Sequence, residues 1–154
     1  MMQMKSRISI LALIVFSLMP VKGFSAEPDK TSGDPSYKVV IEVSIDGAEK
    51  WEGVLRNVEN TRKELGPKTE IEVVTHGKGV GMLLLETSAG NAELRTKLEQ
   101  LSADGVVFAA CENTMRRKQL ERKDLVELAT TVPSGVSEVV RKQAAGYAYI
   151  KSGE

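Results

Sequence analysis

The stretch Gly105–Met115, GVVFAACENTM, contains the junction between a predicted strand and a predicted helix. Val106 to Ala110 form a short apolar run, which predicts a strand. Cys111 follows this run, and the polar residues after it, including Asn113 and Thr114, are typical of a helix start. A strand that runs directly into a helix is the repeating unit of parallel α/β sheets, so this stretch indicates that fold class.

The same alternation continues along the chain on both sides of this stretch. β-Branched or apolar runs predict strands at residues 37–44, 69–75, 106–110, 126–132 and 146–150. Between them lies helical periodicity, with apolar faces formed by Trp51, Val54, Leu55, Val58 and Leu65, by Leu94, Leu98 and Leu101, and by Val136, Val139, Val140 and Ala144. The pattern predicts a single three-layer α/β domain with a mainly parallel sheet flanked by helices.

Local signals mark where several of these helices begin and end. Asp46, with Glu49 three residues later, predicts a capping box before the first helix, and Gly66 with Pro67 predicts its end. Ser134 is expected to cap the last helix. The apolar residues 82–85 predict a short turn or helix packed on the core.

The first 25 residues are typical of a secretory signal peptide. Lys5 and Arg7 precede an apolar or small run from Ile8 to Met19, which is too short to span a bilayer as a retained anchor. We therefore expect a cleaved leader at 1–25, a flexible linker at 26–36 and the α/β domain at 37–151. The mature protein is expected in the periplasm or secreted, with no stable membrane anchor.

The charge balance argues against a nucleic-acid partner. The leader contains three basic residues and no acidic residue, so its removal leaves 18 basic and 21 acidic side chains, a net charge of −3. Proteins that bind nucleic acid usually present a basic surface, because much of their affinity comes from neutralising phosphates. We expect no nucleic acid partner.

Cys111 is the only cysteine, and its position favours a reactive thiol. The free N–H groups of a helix start stabilise a thiolate, and Arg116 on the next turn would add to this effect, so we expect its pKa to be lowered. With no second cysteine an intramolecular disulfide is excluded. The alternatives are a small buried apolar residue, which is a common role of free cysteine, and a redox-sensing thiol that pairs between chains in an intersubunit disulfide.

His76 is the only histidine and ends the predicted strand 69–75. In a parallel sheet the carboxyl ends of the strands share one edge, so His76 is a candidate for proton transfer near Cys111. A lone histidine at a strand end is more often a hydrogen-bonded structural or surface residue, and one histidine with one cysteine is too few ligands for a metal site. The loop Gly77–Gly81, GKGVG, lacks the spacing of nucleotide-binding motifs, so we expect no cofactor and assign its glycines to close packing.

Three motifs together resemble the DsrE/DsrF-like family. They are VTHG at 74–77, GVVFAACENTMR at 105–116 and VPSGVSEVVRKQAAGYAYI at 132–150, and the last is similar to the secreted branch of that family. The resemblance covers about residues 37–150. It implies a YchN-like α/β fold and assembly into trimers or hexamers.

The resemblance also implies a role in sulfur relay, in which the cysteine matching Cys111 carries a persulfide between partner proteins. This chain departs from the better understood members, which act in the cytoplasm, because it has a predicted leader. Some subunits of the family also lack a working cysteine and are structural, whereas Cys111 is present here. The leading hypothesis is an exported sulfur carrier or sulfurtransferase in which Asn113 and Thr114 steady the Cys111 thiolate, with an unidentified sulfur donor or acceptor. The alternative is a non-catalytic oligomeric binding or assembly module with a buried cysteine. Trp51, Tyr147 and Tyr149 are candidates for subunit contacts if they are exposed.

Overall fold

The computed structural model describes residues 36–152 as an alternation of strands and helices. The strands are β1 (Lys38–Val43), β2 (Glu70–Thr75), β3 (Val107–Cys111), β4 (Ala129–Val132) and β5 (Ala148–Ser152). The α-helices are α1 (Ala48–Leu65), α2 (Leu85–Gly90), α3 (Ala92–Ala103), α4 (Glu112–Arg117) and α5 (Gly135–Ala144), with 3-10 helices at Gly77–Leu83 and Arg122–Asp124.

The five strands form one sheet in the order β4-β3-β2-β1-β5, and every neighbouring pair is parallel. This confirms the predicted α/β class, a parallel sheet flanked by helices. Parallel pairing requires a crossover between consecutive strands, and the helices supply these connections. As a result the carboxyl ends of β2 and β3 are neighbours at one edge of the sheet, where Thr75 pairs with Ala110.

The main core lies on one face of the sheet. Its members come from the strands, from α1 and α3 and from the Gly77–Leu83 helix, and the largest fully buried ones are Phe108, Leu55, Met82, Leu83, Leu94 and Leu98. Burying each such side chain contributes about 1.5–3 kcal/mol relative to its exposure. This face therefore supplies most of the apolar burial that stabilises the sheet.

The opposite face has a much smaller core, covered by α5. Val40, Val74 and Ala109 of the sheet pack against Val139 of the helix. An ion pair adds to this contact, with Lys142 Nζ 2.5 Å from Glu72 Oε2. The position of α5 therefore depends on one small apolar cluster and one largely buried ion pair.

Several local predictions were wrong in detail. The residue before α1 is Gly47, with φ of 111°, and no side chain caps the helix, so Asp46 and Glu49 form no capping box. Glycine adopts this backbone conformation readily, so the chain enters α1 without a side-chain cap.

Trp51 is buried in the core, which removes it as a candidate for subunit contacts.

The face of α5 also differs from the prediction. Val139 packs on the sheet, but Val136 and Val140 are 57% and 61% exposed. The helix is rotated so that Lys142 reaches Glu72, which turns these two valines outward. Ser134 caps the helix as predicted, accepting a hydrogen bond from the Ser137 amide at 3.4 Å.

The predicted leader 1–25 and the linker up to residue 35 lie outside the described residues. Within residues 36–152, no helix combines the length and apolar character needed to cross a membrane.

Candidate functional site

Cys111 and His76 lie side by side at the carboxyl edge of the sheet. Cys111 is the last residue of β3 and also the residue that precedes α4, while His76 directly follows β2. Because Thr75 pairs with Ala110 in the parallel register, the next residue of each strand lies at the same level. The strands thus bring together the two residues that the sequence marked for chemistry.

Gly135, the first residue of α5, lies against both of them. A Cβ atom added to Gly135 would lie 3.1 Å from the His76 Cβ and 3.3 Å from the Cys111 Cβ. Any side chain here would crowd both neighbours, so glycine allows the start of α5 to reach the thiol. Sequence reasoning missed this residue, although the Pro-Ser-Gly run directly after a strand was a usable signal of a tight helix start.

The thiol of Cys111 is buried, with 5% of the residue exposed. Burial raises its pKa, but the backbone N–H groups of Gly135, Thr114 and Asn113 and the Thr114 hydroxyl lower it by more, so the net pKa lies below the ordinary value. The thiolate is therefore stabilised by hydrogen-bond donors from two helix starts. Such donors compensate a buried anion without a neighbouring positive charge.

Thr114 links the thiol to the glycine loop after β2. Its Oγ1 accepts a hydrogen bond from the Gly77 amide at 3.0 Å, which leaves the hydroxyl proton available to Cys111. The loop itself is packed closely on β1, because a Cβ on Gly79 would lie 2.1 Å from the Val43 carbonyl oxygen. The glycines serve close packing, as the sequence indicated.

The side chains of Asn113 and Thr114 do not cap α4, and Arg116 contacts residues of its own helix. Cys111 itself holds the cap position of α4, which has no side-chain cap hydrogen bond, so Asn113 and Thr114 lie inside the helix. The Arg116 guanidinium donates to the Asn113 side chain and lies 3.9 Å from Glu112. Backbone amides and the Thr114 hydroxyl lower the pKa of Cys111.

His76 is held from the other side by a carboxylate. Its Nε2 lies 2.5 Å from Glu42 Oε1, and the second oxygen of Glu42 accepts a hydrogen bond from the Tyr149 hydroxyl. Burial raises the pKa of Glu42, but its hydrogen bonds to Tyr149 and His76 lower this pKa by a larger amount. The Glu42 carboxylate is therefore ionised near neutrality. The hydrogen bond to Glu42 raises the pKa of Tyr149 to about 12, which keeps the Tyr149 hydroxyl protonated.

Neither Glu42 nor Tyr149 was identified from the sequence as part of the site. The only signal for Glu42 is an acidic residue within the apolar run of β1. Tyr149 lies 107 positions away in the chain, and only the parallel pairing of β5 with β1 brings the two together.

The arrangement supplies one nucleophilic sulfur, a set of donors for its negative charge, and a histidine connected to a carboxylate. Between residues 36 and 152 no group of three or more His, Cys, Asp or Glu side chains is placed to hold a metal ion. This edge presents a single nucleophilic thiol at the end of β3 and a histidine that directly follows β2.

Comparison with known proteins agrees with this architecture. The sequence profile of the DsrE/DsrF-like family matches residues 38–152, from the start of β1 to the end of β5. The chain is also similar to MTH1491, a protein of unknown function from Methanobacterium thermoautotrophicum. The two are 34% identical with a TM-score of 0.68, over 75% of this chain and 99% of that one.

Two further solved structures share the fold at 14% sequence identity. The ychN protein from E. coli has a TM-score of 0.61 over 76% of this chain and 99% of its own. BT1422, a conserved protein of unknown function from Bacteroides thetaiotaomicron, has a TM-score of 0.56 over 74% of this chain and 93% of its own. At this identity the likeness shows the fold alone. No curated protein gives a significant match.

Proposed function

Because this chain belongs to the DsrE/DsrF-like family, which is related to sulfur relay, we propose that it is an exported sulfur carrier. In this proposal the Cys111 thiolate accepts a sulfane sulfur and holds it as a persulfide until an acceptor protein removes it. The donor and the acceptor are partners that exchange sulfur at the carboxyl edge of the sheet.

The observation that supports this proposal most directly is the environment of the thiol. Three backbone amides and the Thr114 hydroxyl surround Cys111 and lower its pKa although the residue is buried. A structural cysteine in an apolar core would have a raised pKa and would be inert. The same donors can stabilise Cys111 both as the attacking thiolate and as the leaving group when the sulfur is passed on.

The loading step needs only one cysteine. With thiosulfate as donor, the Cys111 thiolate attacks the outer sulfur, the sulfur–sulfur bond of thiosulfate breaks, and sulfite leaves with the bonding electron pair. The product is the Cys111 persulfide anion, so no oxidant and no second thiol take part. This fits a chain whose only cysteine is Cys111.

Intact-mass analysis tests this function. Reduced wild-type protein treated with thiosulfate or polysulfide should gain about 32 Da, the mass of one sulfur atom, and Cys111→Ser should gain none. Protein purified from the exported fraction should in addition begin after Ser25 or Ala26. Failure to gain mass with either donor, or an equal gain in Cys111→Ser, would contradict the role of this thiol.

A second candidate function is a non-catalytic oligomeric binding or assembly module. The observation that favours it is the burial of Cys111, which is 5% exposed. It predicts slow labelling of the native thiol by iodoacetamide at every pH and fast labelling only after denaturation. A sulfur carrier instead predicts native labelling that increases as the thiol ionises below its ordinary pKa.

Assembly into a homo-oligomer, a trimer or hexamer, is part of either proposal. The outer side of α5 presents Val136 and Val140 to solvent, and Tyr149 of the neighbouring edge strand is 40% exposed. Apolar and aromatic side chains grouped on one surface are typical of subunit contacts. Tyr147 is half-buried and contributes less to this surface.

A further inference from the structure

The geometry points to Glu42 and Tyr149 as positioning residues for His76, holding its ring with the proton on Nε2 so that Nδ1 is free to accept a proton beside Cys111. This inference rests on the proposed sulfur-carrier function, because the proton in question belongs to the acceptor thiol. It gives a role to Glu42 of β1 and Tyr149 of β5, whose hydrogen bonds the chemistry of the thiol alone does not explain.

The donor and acceptor roles of Tyr149, Glu42 and His76 determine which atom carries each proton. An ionised carboxylate can only accept hydrogen bonds, so Glu42 receives one from the Tyr149 hydroxyl and one from His76 Nε2. His76 must therefore donate through Nε2, which makes Nδ1 the unprotonated nitrogen of the neutral ring.

The backbone places the Cβ atom of His76 next to that of Cys111. The Cβ atoms of His76 and Cys111 both pack against Gly135, at 3.1 Å and 3.3 Å from the position of an added Cβ. The His76 side chain is 22% exposed, so an incoming acceptor can reach it. A base that is oriented by a carboxylate and lies beside a nucleophile is the usual arrangement for proton transfer in thiol chemistry.

The proton transfer accompanies unloading of the persulfide onto a thiol. The acceptor thiol gives its proton to Nδ1 of His76, and the resulting thiolate attacks the outer sulfur of the Cys111 persulfide. Before transfer the persulfide anion takes up one proton from solvent on its outer sulfur. The sulfur–sulfur bond then breaks, Cys111 leaves as a thiolate with the electron pair, and the outer sulfur stays on the acceptor as the terminal SH of a new persulfide. A base is needed because a free cysteine thiol, with a pKa of about 8.5, is mostly protonated at pH 7.

The chain contains a matched control pair on the same face of the sheet. Tyr147 donates its hydroxyl to Glu70 Oε2 at 2.6 Å, which repeats the tyrosine–glutamate contact without a histidine at its end. Substitutions at Glu70 and Tyr147 thus remove the same chemical groups from the same surface. They should leave His76 unaffected.

Nitrogen NMR of the histidine ring tests the positioning directly. His76 is the only histidine, so untagged protein labelled with ¹⁵N-histidine gives signals from a single ring. When the ring is neutral, wild type and Glu70→Ala should show the proton on Nε2, and Glu42→Ala should show a mixture of both tautomers. An unchanged Nε2–H tautomer in Glu42→Ala would overturn the inference.

Unloading kinetics provide the second measurement, with two acceptors that differ in their need for a base. Sulfite attacks through a sulfur atom that has no proton to lose, whereas cysteine must first be deprotonated. Glu42→Ala should slow transfer to cysteine at pH 7 about tenfold, below the 10²–10⁴ of a complete general base, and change transfer to sulfite less than about twofold. Tyr149→Phe should slow the cysteine reaction more than Tyr147→Phe does.

Equal slowing with both acceptors, or no slowing with cysteine, would overturn the role of Glu42. Failure of wild type to load sulfur would instead count against the sulfur-carrier function. The ring tautomer does not depend on sulfur loading, so it can still be measured in that case, in wild type or in Cys111→Ser. The failure of the sulfur-carrier function is therefore distinguishable from the failure of the positioning role of Glu42.

Discussion

Gly135 determines how closely the start of α5 approaches the thiol. Its amide is the strongest of the hydrogen-bond donors that lower the pKa of Cys111, and only the absence of a side chain allows this approach. Cys111 supplies the nucleophile, but its acidity depends on a residue 24 positions later in the chain.

Gly135→Ala should therefore weaken the site without removing any reacting group. The added methyl lies 3.1–3.4 Å from His76, Cys111 and Val74, so α5 must move outward, at a cost of about 1–3 kcal/mol in the free energy of unfolding. The pKa of Cys111 should rise, because its Gly135 donor moves away. Iodoacetamide labelling across pH measures the pKa, and urea denaturation measures the stability.

Gly53→Ala is the matched control for this prediction. A Cβ at Gly53, inside α1, meets only the end of the flexible Arg56 side chain at 3.6 Å. Alanine within a helix is favoured over glycine by about 0.5–1 kcal/mol, so this variant should be as stable as wild type or more so. A Gly135→Ala protein with the labelling profile of Gly53→Ala would show that the close approach is not needed.

At the scale of elements, local sequence patterns predicted the sheet well because β1, β2 and β3 are mostly buried apolar runs. The parallel pairing of these strands follows from apolar strands that connect through helices. The rotation of α5 did not follow, since it depends on the pairing of Lys142 with Glu72, 70 positions away. Contacts of this separation, like that of Glu42 with Tyr149, have no signature in local periodicity.

The ion pair between Lys142 of α5 and Glu72 of β2 should contribute more to the free energy of unfolding than an exposed ion pair does. Burial lowers the pKa of Lys142, but Glu72 raises it by more, so the lysine stays charged. Lys142→Met leaves Glu72, a 7% exposed carboxylate, without this partner, and should cost about 2 kcal/mol, less than the 3–5 kcal/mol of a fully buried pair. The double variant with Glu72→Gln should recover part of this loss.

Urea denaturation with a surface control checks this expectation. Arg95 and Glu99 form an exposed pair at 3.7 Å, so Arg95→Met should change the free energy of unfolding by less than about 1 kcal/mol. Equal effects of the Lys142 and Arg95 substitutions would mean that the ion pair does not hold α5 in place.

At the scale of the whole molecule, the two faces of the sheet differ in how completely they are covered. One face lies beneath α1 and α3, whereas α5 covers the other and presents Val136 and Val140 outward. Two exposed valines one helical turn apart are an apolar stripe that a second subunit would bury. The surface next to the thiol would then belong to the assembly as well as to the single chain.

Val140→Lys should therefore dissociate the proposed homo-oligomer. A lysine at this position would place a charge within the contact, where desolvation without a partner is costly. Light scattering coupled to size exclusion should give a trimer or hexamer for wild type and smaller species for the variant. Leu85→Lys, at a residue on α2 that is 48% exposed, is the control and should keep the wild-type mass. A monomeric wild type, or a Val140→Lys oligomer of unchanged mass, would contradict an assembly built on α5.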